Sequence, residues 1–177
     1  MADAMTLATG ARAQRKQLIT VAEWSEGSGD PKREILGVRT EDSSIELNPD
    51  TQTSTDILGV TYTDVNKTEP QQDFDPHYIV GGSDLDKYLT TAVLANDIDK
   101  YNNVFNIYII TAFITNGTAT EQDGKYKCIK HEGCTILPTS IGGDSYVSMP
   151  LEVHLSNKIT TGTVDVLTPS FQFTADV

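Results

Sequence analysis

Basic residues, cysteines and long hydrophobic runs are all scarce in this 177-residue sequence. Its 13 Lys and Arg stand against 25 Asp and Glu, which gives a formal net charge of -12. A tight nucleic-acid binder needs basic side chains to displace counterions from phosphate, so this composition disfavours that class. The longest apolar run, residues 104–114, is much shorter than the roughly 20 residues that cross a bilayer. We therefore expect one domain, no membrane partner, and a chain that stays in the cytoplasm until it assembles.

The two cysteines do not form a recognisable metal site. Five residues separate Cys128 from Cys134, a spacing that matches no common zinc pattern, and zinc usually takes four ligands. His131 lies between them, but one histidine and two cysteines make an incomplete set. We expect no bound metal, and in a cytoplasmic protein both side chains should be free thiols.

Patterns typical of catalysis are also lacking. The histidines His77, His131 and His154 are isolated from any residues that would indicate a catalytic triad. Gly81 and Gly82 precede a possible helix, but the spacing of a phosphate-binding loop is absent. The acidic residues around that helix lack the spacing of an EF-hand calcium loop: Asp73, Asp75, Asp84 and Asp86. The sequence predicts a protein that is not an enzyme and binds no cofactor.

What the chain does contain is many short segments of β character, separated by Gly, Pro, Asn and Asp. β-Branched and alternating apolar residues favour strands, and the intervening residues favour turns. Residues 66–78 contain two prolines and few apolar residues, so we expect a loop there. The predicted strands are residues 18–24, 33–40, 43–48, 51–63, 104–114, 126–130, 135–137, 146–155, 162–166 and 170–174. The run 104–114 is the most apolar, which predicts a central strand with both faces covered.

One segment has helical periodicity. Ser83 or Asp84 can cap its N-terminus, and Asp86 lies in the first turn, where the helix dipole favours negative charge. Apolar residues then recur at three- and four-residue steps, which predicts one face for packing on a sheet: Leu85, Tyr88, Leu89, Ala92 and Val93. We expect this helix to end near residues 97–100.

These elements predict a mainly β fold, in which two antiparallel sheets pack as a sandwich or barrel with one flanking α-helix. Residues 1–16 are small, polar and basic, which indicates an N-terminal arm ahead of a β domain spanning residues 17–177. Because the body is acidic, Arg12, Arg15 and Lys16 could dock this arm on a neighbouring subunit.

The order of elements resembles a known family. Early strands lead into the Thr-rich stretch 40–59, then come the helix, the strands around 104–114 and the alternating ending 146–156. In this respect the chain resembles the major tail tube proteins of siphophages, the long-tailed bacteriophages, over roughly residues 17–177. The resemblance implies hexameric rings that stack into a tube, with one sheet of each copy lining a β-barrel lumen through which DNA is ejected.

The same resemblance implies the partners and the location of the protein. Its main partner would be itself, together with a tape measure protein inside the tube and the tail tip and tail terminator proteins. DNA would be a partner only in transit, and the protein would end in the virion tail. We expect an acidic lumen that repels DNA, lined by polar side chains of the Thr-rich region: Glu46, Asp50, Asp56 and Asp64. The alternative is that these carboxylates only solvate the outer wall.

A second class of function also accounts for the strands and the threonines. A monomeric β-sandwich that binds carbohydrate or decorates a virion surface would have a similar composition. The mid-chain helix and the basic arm favour the tube subunit over this binding module.

Overall fold

A computed structural model of the protein describes residues 12–38, 40, 43–112, 125–165 and 171–176. Part of the predicted arm, residues 1–11, and the ends of the predicted strands at 113–114, 166 and 170 lie outside these ranges. The strands are β1 (Leu18–Trp24), β2 (Lys32–Ile35), β3 (Ile45–Glu46), β4 (Pro49–Thr55), β5 (Thr61–Thr68), β6 (Gln71–Phe74), β7 (Phe105–Thr111), β8 (Lys125–Pro138), β9 (Leu151–His154), β10 (Ile159–Asp165) and β11 (Gln172–Ala175), with the helix α1 (Asp84–Leu94) between β6 and β7. The mainly β class with one flanking helix is confirmed.

Strand β8 is the longest element, with 14 residues, and it connects the two halves of the sheet. The sequence predicted two short strands here, at 126–130 and 135–137, but the backbone continues through Gly133, whose φ is 72°. Cys134 lies opposite Phe105 and Glu132 lies opposite Asn106, so Gly133 is the extra residue of a β-bulge. Glycine adopts this positive φ at no steric cost, which is why the strand bends instead of ending.

Three strands pair with β8 along its length. Residues 127–134 pair with β7, residues 125–131 with β10, and residues 135–138 with β9. From these contacts a nine-stranded sheet extends in the order β2-β1-β7-β8-β9-β6-β3, and β11 pairs with β10. Every one of these pairings is antiparallel.

The sheet curls so that its two halves meet. In this contact, the Thr20 hydroxyl of β1 donates to the Gln72 side-chain oxygen of β6 at 2.9 Å. The Gln72 amide nitrogen donates to the Ser43 hydroxyl at 3.0 Å, and all three residues are buried. A buried polar side chain is tolerable only when it is paired, so this short chain of hydrogen bonds favours one relative position of the two halves.

The curl produces two hydrophobic cores, one on each face of β7. The larger core lies between the halves of the sheet and α1, and it contains Ala22, Trp24, Leu36, Phe74, Leu85, Leu89, Phe105, Ile107, Ile109, Cys134, Ile136, Met149, Leu151, Val153 and Leu155. The smaller core contains Val21, Tyr108, Ile110, Tyr126, Cys128 and Val164. Successive side chains of a strand point to opposite faces, so β7 contributes to both cores. The prediction of a central strand covered on both faces is confirmed.

Helix α1 begins at Asp84, directly after the predicted N-cap residue Ser83. The Ser83 hydroxyl accepts from the Asp86 N–H at 2.9 Å. Leu85, Leu89 and Ala92 are buried on the face that meets the larger core. The helix ends at Leu94, earlier than the predicted 97–100, because the chain reverses at Asn96, whose φ is 53°. Residues 98–100 form a separate 3-10 turn.

The prediction of a loop over residues 66–78 was wrong for residues 66–68 and 71–74, which lie in strands. β5 continues to Thr68, and β6 pairs with β9 and β3. After β6 the chain is held to the start of α1 by the buried Asp86 carboxylate. Its oxygens contact His77 Nε2 at 2.7 Å and accept the Val80 N–H at 2.8 Å. The sequence does not reveal this partner of His77, because Asp86 lies on another element.

We predict that Leu89→Ala destabilises the protein by about 2–5 kcal/mol, because Leu89 is fully buried in the larger core. Leu94→Ala in the same helix is the matched control, since Leu94 is 72% exposed, and it should change the stability by less than about 0.5 kcal/mol. Urea denaturation followed by circular dichroism measures both values. Equal effects at the two positions would contradict the assigned helix face.

We also predict a pH-dependent contribution from Asp86. Burial alone would raise the pKa of Asp86, but hydrogen bonds from His77 and Val80 outweigh it and hold the pKa below its ordinary value. The carboxylate therefore stabilises the fold at pH values above the pKa of Asp86 in the unfolded chain, which is about 4. This stabilisation is lost as the pH falls through the lower pKa of Asp86 in the folded protein. Asp86→Asn should cost about 1–3 kcal/mol at neutral pH and less at about pH 3. A difference in unfolding free energy that stays constant over this range would refute the assignment, and the exposed Asp84→Asn provides the control.

Candidate assembly surface

Strands β4 and β5 form a hairpin that stands apart from the nine-stranded sheet, and among the described strands they pair only with each other. Every residue from 49 to 67 is exposed except Asp56, which is half-buried. At about 3.3 Å per residue, the seven residues of β4 carry the tip roughly 20 Å away from the base. We call residues 49–68 the projecting hairpin.

One face of the projecting hairpin consists almost entirely of threonine. Residues opposite each other in an antiparallel pair share a face, so the register assigns the side chains directly. The uncharged face contains Thr51, Thr53, Thr55, Thr61, Thr63 and Val65. The hydroxyls of Thr55 and Thr61 lie 3.2 Å apart. All six side chains are β-branched, which stiffens the extended backbone and gives an even surface without charge.

The opposite face is polar and contains the charges: Asp50, Gln52, Ser54, Tyr62, Asp64 and Lys67. Two predicted lumen residues, Asp50 and Asp64, are therefore on the same face. Lys67 lies opposite Asp50, but its ammonium group donates to Glu69 at 2.5 Å. That hydrogen bond raises the pKa of Lys67 and lowers that of Glu69.

The tip of the hairpin is hydrophobic and is held by Asp56. The Asp56 carboxylate accepts the N–H groups of Leu58 and Val60 at 2.8 and 2.9 Å, while Gly59 adopts a φ of 79°. Ile57 is 101% exposed and Leu58 is 82% exposed. Asp56 therefore shapes the turn and presents two apolar side chains to solvent.

The structure separates the four predicted lumen residues. Asp50 and Asp64 share the polar face, whereas Asp56 lies at the tip. Glu46 lies outside the projecting hairpin, in β3, where it is exposed opposite Gln71 at the end of the sheet. The sequence predicted strands at 43–48 and 51–63, but in the structure the hairpin turn lies at residues 56–60, inside the second predicted strand, and Asn48, with a φ of 41°, separates β3 from β4.

The described part of the predicted arm is attached to its own chain. Arg15 and Lys16 belong to a 3-10 turn that leads directly into β1, and Gln17 at its end is buried. Arg15 donates from Nε to the Ser43 carbonyl at 2.9 Å and from Nη1 to the Leu18 carbonyl at 2.6 Å. Arg12 and Lys16 are exposed. Arg15 thus has a local structural role, while the other two cations remain open to a partner.

The described residues form no recognisable metal site and contain no reactive thiol. Within them, no group of three His, Cys, Asp or Glu residues is arranged to hold a metal ion, and no helix has the length and hydropathy to cross a bilayer. Both thiols are free and buried, and burial raises the pKa of Cys128 to about 12, which makes it a poor nucleophile. The most unusual feature of this part of the chain is the projecting hairpin.

Comparison with known proteins gives structural likenesses only. No family model matches the chain, and no curated protein matches it. A chain of the sheath-tube complex of an extracellular contractile injection system, PVC, in its extended state, aligns with a TM-score of 0.48 and 14% identity, covering 86% of this chain and 92% of that one. A chain of the anti-feeding prophage baseplate aligns with a TM-score of 0.45 and 12% identity, covering 88% and 97%. A chain of the anti-feeding prophage cap, which terminates the tube, aligns with a TM-score of 0.45 and 16% identity, covering 92% and 99%.

Proposed function

We propose that the protein is the repeating structural subunit of a tail tube, in which copies join into rings and the rings stack. The observation that carries this proposal is the projecting hairpin. It exposes an uncharged Thr face, two unpaired strand edges and an apolar tip, all on an element that contributes no residue to either described core. An exposed element with these features is suited to a contact with another chain.

The stability of the hairpin supports this reasoning. A two-stranded hairpin is at best marginally stable in water when nothing packs on it. Its strand edges offer unpaired N–H and C=O groups, which readily accept a strand from another chain. Pairing or packing against a neighbouring copy would satisfy these groups and remove Ile57 and Leu58 from water. The features that are unfavourable in a single chain are therefore favourable in an assembly.

The distribution of charge is also suited to contacts between identical copies. With a net charge of -12, two copies repel each other wherever their acidic surfaces approach. At physiological salt the Debye length is about 8 Å, so repulsion acts mainly at direct contacts. The Thr face contains no charge, and a neighbour can approach it without this penalty. The polar face with Asp50 and Asp64 would then remain in water.

The finer assignment follows from the resemblance to siphophage tail tube proteins. It implies hexameric rings, DNA ejection through the lumen, and contacts with a tape measure protein, the tail tip and the tail terminator in the virion. An acidic polar face directed into the lumen would keep the DNA duplex near the axis by repulsion. On this proposal the protein has no catalytic role, and its function is the geometry of the tube.

We predict that the purified protein forms rings or tubes at high concentration, or when seeded by its tail-tip partners. A variant in which residues 51–65 are replaced by a short glycine turn should fold normally and remain monomeric, because the projecting hairpin contributes no core residue. Sedimentation velocity and negative-stain electron microscopy measure the assembly, and circular dichroism checks the fold. A full-length protein that stays monomeric with its tip partners present would instead favour the monomeric binding module.

We predict further that Asp50→Lys together with Asp64→Lys slows DNA ejection from particles that contain the variant, most strongly at low salt, where screening is weakest. Both residues are exposed on the same face of the hairpin, so the substitution reverses the charge there without disturbing a core. Asp99→Lys is the matched control, because Asp99 is exposed in the 3-10 turn after α1. Ejection kinetics that are unchanged at low salt would place this face on the outer wall.

A further inference from the structure

Strand β11 covers one margin of the nine-stranded sheet. It faces β10 from Gly162 to Asp165 in antiparallel register, and the Asp176 N–H donates to the Thr161 carbonyl at 2.9 Å. Among the described strands, β10 is its only partner. The other two margins of the described sheet are β2 and β3, which have four and two residues, whereas β10 has seven. β11 therefore covers a strand that is longer than either of the other margins.

Without β11, strand β10 would be an edge that readily pairs with another chain. Its residues, Ile159–Asp165, are mostly β-branched, and only the last of them carries a charge. A long and nearly uncharged edge offers its N–H and C=O groups to any extended segment that reaches it. Proteins commonly cover such an edge with another element of the same chain, and β11 is placed to do this.

The contact between β11 and β10 is specific. A side chain at Gly162 would collide with the Phe173 ring and the Thr174 carbonyl, so the glycine makes room for the close approach of β11. The rings of Phe171 and Phe173 meet Tyr108 edge-on, with ring centroids 5.0 and 5.5 Å apart. These contacts fix the register of β11 and keep water away from Tyr108, which belongs to the smaller core.

The attachment of β11 is nevertheless shallow. Phe171 and Phe173 are half-buried, and the other residues from 172 to 176 are exposed. The Asp176 carboxylate pairs with the Lys127 ammonium group, but both side chains are partly exposed, and an ion pair of this kind contributes little stability. A segment with so few buried contacts opens at a much lower free energy than the cores do. β11 can therefore leave β10 while the rest of the domain stays folded.

We propose that β11 is an autoinhibitory cap, which keeps the β10 edge closed in free subunits and leaves it when a neighbouring copy supplies a strand. This inference rests on the proposed function, because it concerns when copies can join. At the end of a growing tube the neighbour is held beside this edge by its other contacts, so its effective concentration is high and it displaces the cap. Two free copies lack those contacts, and their β10 edges stay covered. The cap thus restricts the addition of subunits to existing tube ends.

The first test is a reversible covalent lock, made by Thr163→Cys together with Thr174→Cys. These residues face each other across β10 and β11. The Cα atoms of facing residues lie about 4.5–5.5 Å apart, which a disulfide spans. Because the cap cannot leave, the oxidised protein should assemble at least about tenfold less than the same protein after reduction, as measured by sedimentation velocity. The matched control, Thr161→Cys with Ile129→Cys, ties β10 to β8 instead and should assemble equally in both redox states.

The outcomes separate the two proposals. The natural thiols of Cys128 and Cys134 are buried and should not react under mild oxidation, so a redox effect reports on the introduced pair. Equal assembly of the locked variant before and after reduction overturns the cap and leaves the proposed function in place. An equal loss in the oxidised control also overturns the cap, since any disulfide at β10 would then be sufficient. Unsubstituted protein that does not assemble with its tip partners overturns both proposals.

A second measurement needs no introduced cysteine and loosens the cap instead of locking it. Asp176→Lys places a second cation beside Lys127, so β11 should leave β10 more readily. The lag before assembly, followed by light scattering, should shorten at least about threefold. Asp99→Lys changes the net charge equally at an exposed site in the 3-10 turn after α1, and it controls for weaker repulsion between copies. Equal lag times in the two variants, or a longer lag for Asp176→Lys, would refute the proposal.

Discussion

The bend of β8 at Gly133 is the constraint on which the rest of the structure depends. A strand of this length presents side chains to opposite faces in strict alternation, so residues an even number apart would face the same way. The bulge shifts this alternation once, and as a result Cys128 enters the smaller core while Cys134 enters the larger one. One strand can then pair with β7, β9 and β10, and the sheet curls around α1 instead of remaining flat.

Local sequence patterns were sufficient to predict α1 and β7. Ser83 caps α1, and the apolar stripe through Leu85 and Leu89 identified its buried face. The apolar run from residue 104 predicted a strand covered on both sides, and β7 confirms it. Gly133 was less informative, because glycine within a strand pattern indicates either a break or a bulge, and only the pairing with Asn106 and Phe105 distinguishes them. The contact of His77 with Asp86 also depends on tertiary structure.

The sequence predicted the composition of the candidate assembly surface, but not which of its residues share a face. The acidic and Thr-rich character of the region is evident from the sequence, yet the separation of Thr53 from Asp64 onto opposite faces depends on the register of β4 against β5. That register follows from the turn held by Asp56 and from the bulge between Asp50 and Thr51, neither of which alternation alone specifies. The charge of Asp56 does not reveal its role either, because that role depends on its hydrogen bonds to the N–H groups of Leu58 and Val60.

The independence of the projecting hairpin from both cores has a consequence for how such a protein can change over evolution. Because β4 and β5 pair with no other strand that the structure describes, residues can be inserted in the hairpin without repacking either described core. Two residues added to each strand would extend its reach by about 7 Å and preserve the orientation of its faces, since side chains alternate with a period of two. One residue added to each would exchange the faces beyond the insertion. Natural variation in hairpin length should therefore proceed in even steps.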